Sequence, residues 1–192
     1  MNGRSYHPRR RGGFTLIEAM ATITVLSILG SMASFLIVDA VDGYVEAATS
    51  SQLHAELAIA LDRLTREIRK IDNDETAGPT DPDIDSVTQA GTEDAMTWTD
   101  SLDQTYSLSK TGSNLMLAVE SGAAAVLLSD VTAFAISIYD QDNTQLVGDK
   151  GAGHPDLDLI RRVLLDVTLS RHNVTESLRT RVFIRSTMSG GG

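Results

Sequence analysis

The sequence predicts an α+β protein, in which one long N-terminal helix precedes an antiparallel β-sheet domain. Three observations carry that expectation. Residues 19–38 form an apolar run of twenty residues without a charge. Leu53, Leu57, Leu61, Leu64, Ile68 and Ile71 then recur at spacings of three and four, the period of one helix face. From residue 96 onward apolar and polar residues alternate, which is the period of strands.

The bulk numbers bound the rest. A chain of 192 residues has room for one ordinary domain and an appendage. Hydrophobic content of 42% and charged content of 22% are those of a folded protein. A net charge of −10 argues against nucleic acid as a partner, because no basic surface is available to displace phosphate counterions. There is no cysteine, which excludes a disulfide framework, a thiolate zinc site and a cysteine nucleophile.

The first element is the apolar helix. Twenty helical residues rise about 30 Å, the thickness of a bilayer's hydrocarbon core. A secretory signal peptide has a shorter apolar region, and no A-x-A cleavage site closes this run before Asp39. Arg4, Arg9, Arg10 and Arg11 precede the run, while Asp39, Asp42 and Glu46 follow it. The positive-inside rule therefore keeps residues 1–13 in the cytoplasm and exports the remainder. An ordinary uncleaved signal anchor accounts for the hydropathy. A twin-arginine export signal is a second reading, since Arg10-Arg11 lie just before Phe14. Neither explains Glu18, a carboxylate at the mouth of a membrane segment. Such a charge costs roughly 2.5–3.5 kcal/mol at a helix centre and less near an end, and it usually has a partner.

Gly13-Phe14-Thr15-Leu16-Ile17-Glu18, behind a basic leader and ahead of an apolar helix, resembles the class III signal of type IV pilins and type II secretion pseudopilins. The resemblance implies that a membrane-embedded prepilin peptidase cuts between Gly13 and Phe14 and N-methylates the new Phe14 terminus. It also implies that Glu18 pairs with the terminal amine of a neighbouring subunit during assembly. The physics agrees: two separate charges in hydrocarbon are each costly, and together they compensate. One methylation leaves the amine cationic. Many relatives carry proline where this chain has Phe35, leaving Gly30 and Gly43 as the nearby helix-weakening residues.

The remaining elements follow in order. The Leu53–Ile71 stripe makes residues 39–71 an amphipathic continuation of the helix. Residues 72–94 read as a loop broken by Gly78, Pro79 and Pro82. They lie in a stretch between Lys70 and Lys110 that holds ten acids and no other Lys or Arg. Asp81, Asp83 and Asp85, with Glu93 beyond them, have the spacing of a defective calcium loop, with Ser86 where the turn glycine belongs. A solvated acidic loop accounts for them better. Asp140, Asp142, Asn143 and Asp149 make a weaker cluster of the same kind. Strands are expected at 96–99, 106–110, 115–119, 132–139, 163–170 and 178–184, with a hairpin around Gly112 and a loop at 140–156. Helix and strand order are similar to those of J-type minor pseudopilins and W-type minor pilins, as are the segment 61–69 and the late Arg-rich strand.

No catalytic constellation is visible. His7, His54, His154 and His172 are scattered, without an H-x-x-x-H pair, and no G-x-S-x-G elbow occurs. The expected organisation is a cleaved cytoplasmic leader at 1–13, a transmembrane helix at 14–38, its amphipathic continuation at 39–71 and a periplasmic β-rich domain at 72–192. The expected function is that of a structural minor pilin or pseudopilin. Its implied partners are other pilins, prepilin peptidase, the inner-membrane assembly platform and the lipid bilayer, with no cofactor. A membrane-anchored periplasmic binding module or enzyme is the alternative, and it predicts an uncut N-terminus and a dispensable Glu18.

Overall fold

The computed structural model describes residues 15–72, 81–91, 93–120 and 122–184. The chain divides into two compact units, Met1–Val45 and Glu46–Gly192. Helix α1 (Leu16–Ile68) runs through both.

In the first unit α1 carries no charge over residues 19–38, and it is long and apolar enough to cross a membrane. Its hydroxyls are satisfied internally. Thr22, Thr24, Ser27 and Ser34 donate to carbonyls four residues back at 2.7–3.0 Å, and Ser31 donates to the Ile28 carbonyl at 2.8 Å. Each Ser and Thr hydroxyl of residues 19–38 thus keeps a partner in hydrocarbon. The helix is continuous through Gly30, Phe35 and Gly43.

In the second unit α1 becomes one-sided. Leu53, Leu57, Ala60, Leu61, Leu64 and Ile68 are buried, which places the stripe on the core as its spacing predicts. The helix then tightens, with Lys70 N–H bonding the Glu67 carbonyl and Ile71 N–H the Ile68 carbonyl. Ile71 pairs with Asp100, so the chain passes from the helix directly to a sheet.

Two antiparallel sheets follow. The first is a meander of β1 (Ile84–Thr88), β2 (Ala95–Thr99), β3 (Thr105–Thr111), β4 (Asn114–Val119) and β5 (Ala125–Leu128), in that spatial order. The second holds β6 (Val131–Tyr139), β7 (Gln145–Leu146), β8 (Arg162–Arg171) and β9 (Val174–Phe183), in the order β7-β6-β8-β9. Gly112, at φ 60°, opens the two-residue turn between β3 and β4 that the sequence predicts. His172 and Asn173 both have positive φ, 50° and 64°, and close β8 onto β9 as a type I′ turn.

Buried apolar residues from α1 and from both sheets form one cluster, with Trp98 and Phe134 its largest fully buried members. The α+β class is the one the sequence predicts. Three strands were not expected. β1 lies inside the stretch read as loop, because a register shift between Ile84 and Ser86 breaks its alternation and leaves only Ile84 and Val87 buried. β5 and β7 are short edge strands with four and two residues, too few to show a period.

Asp94 stitches the sheets together. One carboxylate oxygen accepts from Gly91 N–H at 2.7 Å and the other from Ile136 N–H at 2.6 Å, next to the bridge between Glu93 and Phe134. Val87 and Lys150 exchange two backbone hydrogen bonds on the outer edge of β1.

Candidate functional site

The site singled out by sequence is the start of α1. Thr15 is its N-cap: its carbonyl accepts from Glu18 and Ala19 N–H at 3.1 Å, and its hydroxyl accepts from Glu18 N–H at 3.4 Å. Thr15-x-x-Glu18 is the capping-box pattern, so Glu18 also lies in the first turn, where the helix dipole favours a carboxylate. Glu18 is exposed, and among the described residues its carboxylate has no cationic partner. Gly13 and Phe14 lie outside the described residues.

The acidic positions do not converge. Asp81 pairs with Arg161 at 3.3 Å, Glu93 pairs with Lys110 at 3.3 Å, and Asp85 is a β1 residue. Asp140 accepts from Asp142 and Thr144 N–H and closes its own turn, while Asp149 accepts from Gln89 N–H. Among the described residues no group of three or more His, Asp or Glu side chains is placed to hold a metal ion. His54 is exposed on α1, His172 forms the β8–β9 turn, and His154 accepts from Asp156 N–H.

A second feature has no local signature in sequence. The tip of the β8–β9 hairpin is fastened to α1. Arg171 holds both carboxylate oxygens of Glu56, at 3.2 and 3.1 Å, and its Nε donates to Asp130 at 2.8 Å. Ser50 donates to Glu176 at 2.6 Å, two turns earlier on the helix. The Arg171 guanidinium is the main reason the Glu56 carboxyl lies below its ordinary value, with Gln52 a second donor and partial burial opposing. Arg171 is raised in turn, chiefly by Glu56. Beside this clamp a groove of about 480 Å³ lies between Ile59, Ala60 and Arg63 of α1 and Val126–Leu128 of β5.

One apolar helix that opens on a capped carboxylate, with an α+β domain of two antiparallel sheets, is consistent with a pilin-like fold. Residues 8–34 match the prokaryotic N-terminal methylation motif, the prepilin signal of type IV pilins and pseudopilins. That signal supports a structural subunit of the pilin type, and with the apolar helix it is consistent with an inner-membrane anchor. Among curated proteins none matches the chain.

Proposed function

We propose that this chain is a minor pilin or pseudopilin, assembled at or near the tip of a type II secretion pseudopilus or type IV pilus. The observation that carries the reading is the methylation motif over residues 8–34, with Glu18 in the first turn of the helix it contains. Residues 1–13 are the cytoplasmic leader. Cleavage between Gly13 and Phe14 frees an amine that is then methylated, residues 14–38 span the inner membrane, and residues 72–192 form the periplasmic domain. Glu18 takes the Phe14 amine of a neighbour as its counter-ion, which sets the register between subunits. Other pilins and the inner-membrane assembly platform are the partners. The J-like and W-like order of helix and strands supports the minor-subunit assignment.

Mass spectrometry of the mature N-terminus tests the reading. The expected species begins at N-methylated Phe14. An intact Met1 terminus in cells with an active prepilin peptidase would refute it and leave the uncleaved-anchor reading.

A further inference from the structure

We infer that the outer face of the second sheet is a docking surface for an acidic, extended segment of a partner protein, and that Arg162 receives its carboxylate. The residues of β6, β8 and β9 alternate between the core and this face, and the register aligns Tyr139, Arg162 and Phe183 in one row across it. Arg162 is only 9% exposed, yet among the described residues it has no carboxylate partner, and its Nε–H bonds nothing. Its guanidinium lies 4.5 Å from the Tyr139 ring centroid and 5.7 Å from that of Phe183. Ring contacts steady the cation without satisfying its N–H groups.

Arg161, Arg171 and Arg179, by contrast, each hold a carboxylate. The Arg162 Nε is enclosed by the protein, so the terminal nitrogens of its fork, held in orientation by two rings, are the donors that a carboxylate can reach from outside.

The surrounding face sets the kind of partner. In the next row stand Leu164 and Arg181, and in the following one Asp166 with its ion-paired Arg179. Three arginines thus face one aspartate, on a chain whose net charge is −10. Phe183 is 47% exposed and supplies apolar contact beside the cation. A long polyanion such as nucleic acid would meet repulsion from the rest of the molecule. A short strand with alternating acidic and apolar side chains fits both the charge and the spacing of the rows. This inference does not depend on the prepilin reading, and its test is indifferent to processing.

The test uses the ¹⁵N-labelled full chain in zwitterionic micelles, observed at the arginine Nε–H signals. The probes are a peptide of alternating Glu and Leu, the same peptide with Gln for Glu, and micelles doped with phosphatidylglycerol. The Arg162 signal, identified by its loss in Arg162→Leu, should shift with the Glu peptide. Affinity for that peptide should exceed that for the Gln peptide by about fivefold or more, as expected of a charge-assisted pair. Arg162→Leu should remove the preference, and Arg181→Gln, an exposed change that spares the fold, should reduce it by about twofold to threefold. Trp98 fluorescence reports whether each variant is folded. Should Arg162→Leu fail to fold, Arg181→Gln and the movement of the Arg162 signal decide the matter in the native background. Equal affinity for the two peptides, an unmoved Arg162 signal, or a shift produced by the anionic lipid alone would overturn the proposal.

Discussion

Leu57→Ala tests whether the second half of α1 is held by its stripe. Leu57 is fully buried in the cluster that joins the helix to both sheets. Truncation removes buried methyl groups and leaves a cavity, which costs about 3–5 kcal/mol where the surroundings cannot collapse. Alanine's better helix propensity returns only a few tenths of a kcal/mol. The net loss should be about 3 kcal/mol, equivalent to a fall in Tm of about 6–12 °C for a domain of this size. The control is Ile59→Ala, two residues along on the opposite side of the helix and 72% exposed, with an expected change within about 0.5 kcal/mol. Trp98 is the only tryptophan, fully buried and stacked on Tyr106 with ring centroids 5.5 Å apart, so its emission in a urea titration follows unfolding of the core. If Ile59→Ala costs as much as Leu57→Ala, the stripe does not face the core and the packing argument fails.

The Glu56–Arg171 clamp predicts a pH dependence. Because the folded-state pKa of Glu56 is lowered, the clamp's contribution is complete above the ordinary value of 4.5 and is lost as pH falls through the folded-state value. The Tm gap between wild type and Glu56→Gln should therefore be widest near neutral pH and close in acid, and a gap independent of pH would show that the carboxylate contributes nothing. For Glu18→Ala, processing and membrane insertion should continue while crosslinking to other pilins falls to background. Full crosslinking by the alanine variant would remove Glu18 from assembly.

Regular burial is what made parts of this fold legible. The stripe from Leu53 to Ile68 and the alternation of Val163, Leu165, Val167 and Leu169 each repeat one period over several turns or pairs, and both elements occur as expected. β1 was hidden because its bulge destroys the period, and its Asp and Ser residues have the composition of a loop. β9 begins at Val174, four residues before the expected start, because Thr175-Glu176-Ser177 is polar. The capping pattern Thr15-x-x-Glu18 is local and legible in the sequence, and it gives Glu18 a place in the first turn beside its expected part in assembly. The clamp could not be read at all. Glu56 and Arg171 are 115 positions apart, and a single long-range ion pair leaves no local signature. Arg162 likewise gains its meaning only from the register that brings Tyr139 and Phe183 beside it.

The fastening of the β8–β9 hairpin to α1 has a mechanical consequence. Ser50 and Glu56 lie early in the part of the helix that belongs to the second unit, ahead of most of the buried stripe. Tension applied along the helix from its N-terminal side would reach the Ser50 bond first, then Leu53, then the Glu56 clamp and Leu57. It would be shared with the long β8–β9 ladder, whose register runs unbroken from Arg162 to Arg171. Bonds that are dragged sideways together resist a pull that would open them easily one by one. A pull along α1 would in this way be spread over the sheet of the second unit instead of falling on the helix alone.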